Sequence, residues 1–270
     1  SALEKEAFKR ATSVYLVDRV APMFPERLSN IICSLRPNED KCCYAAVFKM
    51  DANAKVKDTW FGRTIIHSQK RFTYDEAQEI IEGQDGVFKN ELLQLNGLAQ
   101  ILRTQRFKEG AIGFEAPETK FKLDDNGKPI GVYVKERKEA HLLIEDFMLL
   151  ANKSVAAFIE KEKNKNGKVP FVYRVHDLPN EEKLIDFQLF AQKFGYKIQF
   201  DNPIQIAREL NKLMKDIDGK PEQAVLQQLA IRCMAKAVYT TNNIGHYGLG
   251  FEHYTHFTSP IRRYPDVMVH

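Results

Sequence analysis

What this sequence lacks narrows its function before any motif is read. No stretch approaches about 18 uninterrupted apolar residues, the length that reads as a membrane-spanning helix. The opening residues, SALEKEAFKR, alternate charge and apolar character instead of building the core of a signal peptide. A soluble, non-exported, cytoplasmic protein is expected. A strong charge of one sign is missing too: 40 Lys+Arg against 36 Asp+Glu leave +4, so a polyanionic partner is argued only if the positive groups cluster on one surface. Cysteines number four, without a CxxC spacing, which removes the usual metal and redox motifs. Cys42 and Cys43 are neighbours on an expected strand and face opposite sides, Cys33 and Cys233 are far apart, and free thiols are expected. There is no internal repeat and no low-complexity linker, so one continuous α+β domain is the economical reading of 270 residues.

What is present alternates between two periods. Residues 3–20 carry Leu3, Ala7, Val14 and Val17 with charges between them and read as a helix ended by Pro22 and Pro25. Residues 42–68 read as two strands around a turn at 51–54, and residues 114–134 as a second hairpin turning on Asn126 and Gly127. Thr73 with Glu76 three residues on, and Gly83 at the far end, bracket a short helix. Further helices are expected at 87–107, with Leu92, Leu95, Leu98 and Leu102 as a stripe, and at 140–161, 181–194, 203–217 and 221–238, each opened by a proline or an acidic residue. The mixed-charge residues 160–168 read as a solvated helix end and loop. The fold class is α+β: a mixed, largely antiparallel sheet flanked by several helices.

Chemistry concentrates in residues 245–270, GHYGLGFEHYTHFTSPIRRYPDVMVH, whose composition is unlike the rest of the chain. Thr258 or Ser259 is expected to cap a helix with Pro260 in its first turn, setting Arg262 and Arg263 beside free N–H groups where an anion binds. Paired arginines hold a phosphate bidentately and stabilise charge developing on it; the bland alternative is a structural pair of surface arginines. His246, His253 and His256 lack the acidic residue or cysteine that would complete a zinc set, and aromatic-rich packing is the favoured reading.

The run HYGLGFEHYTHFTSPIRRYPD closely resembles the signature of the ribonuclease II and ribonuclease R family, whose shared catalytic domain is called RNB. Other blocks follow in the family's order: SALEKEAFKRATSVYL, PMFPERLSNIICSLRPNED, IIHSQKRFTYDEAQEII, GAIGFEAPETKFKLDDNGKPIGVYV, LIEDFMLLANKSVA and YRVHDLP. The last block and HFTSPIRRYPD lean toward the ribonuclease R side of the family. The resemblance implies a processive 3′→5′ exoribonuclease that hydrolyses single-stranded RNA to nucleoside 5′-monophosphates, with no DNA substrate and no membrane partner. It implies that Tyr15 clamps the 3′-terminal nucleotide, that Tyr173 is a second aromatic where the family usually has phenylalanine, that Arg262 is the catalytic arginine, and that Ser259 and Arg263 contact RNA. On residues alone, Tyr15 reads equally as a core tyrosine and Tyr173 as an ordinary strand aromatic.

The family binds Mg²⁺ through an aspartate group that precedes the block matched at Ser1, so no metal ligand is expected in this chain. Asp124 and Asp125 read as a turn, and Asp266 as support for Arg263 or a cap. The expectation is a partial RNB domain truncated at both ends, without flanking OB-fold RNA-binding domains and inactive alone; a non-catalytic RNA-binding platform is the alternative.

Overall fold

Side-chain caps set several of the helix starts. Ser1 and Thr73 each accept the N–H of the residue three places on, Glu4 and Glu76, whose carboxylates reach back to the cap backbone. Asn180 and Asn202, where the sequence pointed to acidic residues or proline, accept the N–H groups of Lys183 and Gln205. The computed structural model describes residues 1–114, 118–166 and 169–270, with backbone alone at 118, 135 and 163–166. In chain order the elements are α1 (Ala2–Arg10), β1 (Val14–Tyr15), β2 (Val20–Ala21), a π-helical turn (Arg27–Ile32), β3 (Asp40–Met50), β4 (Val56–His67), α2 (Tyr74–Ile81), α3 (Lys89–Lys108), β5 (Glu118–Leu123), β6 (Pro129–Lys135), α4 (Glu139–Asn166), β7 (Tyr173–Val175), α5 (Glu181–Gln192), α6 (Pro203–Asp216), α7 (Gln223–Cys233), β8 (Val238–Thr240), a 3₁₀ turn (Tyr247–Leu249) and α8 (Tyr264–Val269).

Among the described residues the strands pair only as antiparallel twos, β1–β2, β3–β4, β5–β6 and β7–β8, which with the helices gives the expected α+β class. Both long hairpins turn where the sequence placed them. Asp124 accepts the N–H groups of Asn126 and Lys128, and Gly127 takes φ +77, so the adjacent aspartates do belong to a turn. The reading of residues 160–168 as helix end and loop, and of 115–117 within the second hairpin's lead-in, extends to residues outside those described.

Three expectations are corrected. The first helix stops at Arg10, not near residue 20: Ala11 turns at φ +62, and Val14, Tyr15 and Val20 pair as strands, β-branched valine and aromatic tyrosine being strand formers. In α3 the fully buried residues are Asn96 and Ala99; of the expected stripe Leu92, Leu98 and Leu102 are half-buried and Leu95 is exposed, so the packed face is centred to one side of the leucines. The helix expected at 221–238 ends at Cys233, and Val238 starts β8.

The chain divides into two compact units, one of Ser1–Leu102, Pro117–Val155 and His256–His270, the other of Arg103–Ala116 and Ala156–Thr255. In the first, the Gln78 side chain accepts the N–H of Ala140 at the start of α4, and Leu143, Leu150 and Ala151 on α4 are buried. In the second, α5, α6 and α7 enclose a core of Leu184, Phe187, Leu210, Leu213, Ile217 and Leu226. Gly250 closes this unit's 3₁₀ turn at φ +67, where a Cβ would stand 3.0 Å from the Ala111 nitrogen, so only glycine fits. Leu210 is fully buried, and Leu210→Ala is expected to lower unfolding free energy by about 2–5 kcal/mol in urea titrations followed by circular dichroism.

Candidate functional site

The Thr-Ser-Pro-Ile-Arg-Arg segment lies in the first unit and is held by one carboxylate. Asp266, fully buried, accepts the Ser259 N–H at 2.7 Å and the Arg263 Nη2 at 2.8 Å. The Ser259 carbonyl in turn accepts the N–H groups of Arg262 and Arg263, closing a tight turn. The helix expected from Pro260 therefore begins only at Tyr264 and is six residues long, and neither Thr258 nor Ser259 caps it. Asp266 holds the Ser259 N–H instead, and the expected anion site at a helix start is not formed.

Arg263 is extended (φ −138, ψ 124), so adjacent side chains project to opposite sides. Arg263 turns in to Asp266 and its side chain is 22% exposed; Arg262 turns outward and has no ion pair among the described residues. Ser259 is buried in the same clasp. Of the candidates on this segment, Arg262 alone presents its charge to solvent, and Ser259 and Arg263 hold the turn.

Sequence reasoning missed two supports. The Arg262 carbonyl accepts both the Thr12 hydroxyl at 2.9 Å and the Ser13 N–H at 3.0 Å, and the Tyr264 N–H donates to the Ala11 carbonyl. Residues 11–13 thus pair with 262–264 and tie the arginine turn to the strand bearing Tyr15, a residue 62% exposed. Tyr15 stands on β1, not on a helix face. Asn152 of α4 accepts the N–H groups of Phe257 and Thr258; its signal was a polar residue within the apolar run LLANKSVAAF. Phe257 stacks on His270 at 4.4 Å, with Tyr44 packed edge-on against both rings.

Tyr173 lies in the second unit. It has no exposed surface, packs edge-on against Phe171 and donates a short hydrogen bond to Glu160; burial, then that carboxylate, push its hydroxyl pKa up. As placed, no ring face is open to a base. His246 also lies here, stacked on His176 at 5.1 Å. His176 Nδ1 accepts the Gly248 N–H and its Nε2–H donates to the Ala235 carbonyl, which fixes a neutral tautomer. Burial, then His176, lower the His246 pKa to about 4.

Among the described residues no group of three or more His, Cys, Asp or Glu side chains is placed to hold a metal ion. The described residues offer no donor set that fits the Mg²⁺ implied by the family resemblance. No helix among the described residues is long and apolar enough to cross a membrane.

A mixed α+β chain whose Arg262 turn is tied to the strand of an exposed Tyr15 has counterparts among known proteins. Residues 1–270 match the RNB domain, and the chain belongs to the RNB exoribonuclease family. It is 38% identical over 273 residues to ribonuclease R of Aquifex aeolicus, an alignment covering 99% of this chain and 38% of that protein. It is 37% identical over 293 residues to DIS3-like exonuclease 2 of Schizosaccharomyces pombe, covering 100% of this chain and 31% of that one. Among solved structures it resembles Mycoplasma genitalium RNase R in complex with ribose-methylated single-stranded RNA, with TM-score 0.91, 29% identity, and coverage of 100% of this chain and 42% of that one. The chain thus spans 31–42% of the length of these relatives.

Two outcomes follow. Asp266→Ala leaves Arg263 without its partner inside the turn and is expected to cost about 3–5 kcal/mol of stability in denaturant titrations. His246 binds its proton less readily folded than unfolded, so its contribution is present at pH 7 and is lost as pH falls from about 6.5 toward about 4. Unfolding free energy measured at pH 7 and pH 5 should drop on acidification, and drop less in His246→Asn.

Proposed function

We propose that this chain supplies the substrate-holding and electrostatic parts of a 3′→5′ exoribonuclease that hydrolyses single-stranded RNA to nucleoside 5′-monophosphates in the cytoplasm. The observation that carries the reading is the turn at 259–263: its backbone is tied to the strand of Tyr15, and it directs an unpaired Arg262 outward while Asp266 neutralises Arg263. Support comes from the family and from a structural neighbour described in complex with RNA.

In this reading the exposed Tyr15 ring stacks on the 3′-terminal base, a contact worth about 1–3 kcal/mol. The Arg262 guanidinium forks onto the scissile phosphate and stabilises the charge that grows there in the transition state. Ser259 and Arg263 position Arg262 through Asp266, and Tyr173 anchors β7 through Glu160. Contacts to the 2′-hydroxyl distinguish RNA from DNA. Mg²⁺ is held by carboxylates outside these 270 residues, and the chain alone does not turn over. A second reading is an RNA-binding platform without catalysis; the lack of a metal-holding group among the described residues is common to both readings.

The test incubates this chain, and the chain joined to the family's preceding acidic segment and following sequence, with 5′-labelled single-stranded RNA and Mg²⁺. Only the joined form is expected to shorten the RNA stepwise on a gel. In that form Arg262→Ala should lower kcat by about 10²–10³-fold with little change in KM, and Tyr15→Ala should weaken RNA binding by roughly 10-fold or more. If both forms fold and bind RNA but neither shortens it, the platform reading replaces the exonuclease.

A further inference from the structure

The second unit contains a groove of about 900 Å³ walled by the end of α3, by α6 and by α7. Its lining includes Arg208, Lys212 and Lys215 of α6, spaced four and three residues apart and therefore on one stripe of the helix. That stripe lies opposite the side on which Ala207, Leu210 and Leu213 are buried. Lys108 joins it from α3. All four cations are exposed, and none has an ion pair among the described residues.

The carboxylate on the lining, Asp218, accepts a hydrogen bond from Gln223; Glu209 and Asp216, also on or beside this helix, line a smaller pocket that shares Lys212. The wall is fixed, because the Asn211 side chain accepts the Gly113 N–H and donates to the Ala111 carbonyl. Like charges at such spacing repel one another along a helix. Glu209 and Asp216 flank Lys212 on the far side of the stripe, and on the groove side three cations of α6 stand together with no acid of the helix between them.

We propose that this groove binds clustered phosphate groups. Arg208 offers a bidentate fork and the lysines offer point charges, the set that suits neighbouring phosphates better than a lone carboxylate. The same chemistry occurs in the polyphosphate chain of a nucleotide and in successive phosphates of an RNA strand. The groove shares no residue with the Arg262 turn, and the proposal stands independently of the exonuclease reading.

The experiment is isothermal titration of the 270-residue chain with sodium tripolyphosphate and, separately, with a single-stranded oligoribonucleotide blocked at its 3′ end. It compares the native sequence, the groove variant R208Q/K212Q/K215Q, and a charge-matched control, K5Q/K9Q/K193Q, whose three lysines are exposed elsewhere. The groove variant should bind at least one probe about tenfold more weakly, with a shallower dependence on salt, while the control stays within about twofold of native. Loss for tripolyphosphate identifies a nucleotide-type ligand, and loss for the oligonucleotide alone identifies RNA backbone. Asp218→Asn should tighten the affected probe. The groove and control variants, both folded by circular dichroism, binding both probes alike overturns the proposal.

Discussion

A carboxylate buried without compensation is costly, and Asp266 is tolerated because two donors converge on it: the Ser259 N–H and the Arg263 guanidinium. Those two bonds fix the ends of one turn. With the ends fixed, the Ser259 carbonyl can take two N–H groups, and the Arg262 carbonyl is left facing the Thr12 hydroxyl and the Ser13 N–H. The pairing of residues 11–13 with 262–264 therefore joins segments about 250 residues apart in sequence. A contact of that separation carries a large loop-closure cost, which local turn chemistry alone does not offset. A buried charge-assisted pair, held from inside the turn, supplies the missing stabilisation.

The second unit solves a similar problem without charge. His176 is held neutral by one bond to each ring nitrogen, stacks on His246, and so presents an apolar face within a polar-looking sequence. The parallel bridge between His176 and His246, together with the Gly250 turn, brings the GHYGLGF run back onto the residues around Ala111. His246, one of the three histidines counted toward a metal set, is thus part of the packing, and the lowered proton affinity of His176 and His246 follows from burial.

How much of this was legible depended on the range of the interaction involved. The capping box at Thr73 and Glu76 and the Asp124 turn are decided by residues within four positions, and both were readable. The first helix was misread because Val14 and Val17 fit a helical spacing as well as a strand. What decides between them is the partner strand and the Ser13 hydroxyl accepting the Met23 N–H, a contact ten residues away. At the site, Arg262 and Asp266 were legible from the motif, while the partners of Thr12 and Asn152 were not, since each acts on a segment more than 100 residues distant. Burial of Tyr173 was likewise out of reach of a pattern that shows only an aromatic on a strand.

The adjacency of two arginines looks redundant in the sequence and is not so in the structure. Extended backbone at Arg263 sends consecutive side chains to opposite sides, so one guanidinium is drawn inward by Asp266 and the other is directed outward. The inner one is neutralised by its carboxylate, which leaves the turn with a single net positive charge, at Arg262. Were both arginines outward, their mutual repulsion would spread the turn; were neither paired, no buried anchor would set the direction of either. Only one nitrogen of the inner guanidinium is used: Nη2 donates to Asp266 Oδ1, while Arg263 Nε and Asp266 Oδ2 are buried with no hydrogen-bond partner among the described residues. The pair thus divides one residue type between anchoring and presentation, and the geometry of Asp266 determines which arginine does which.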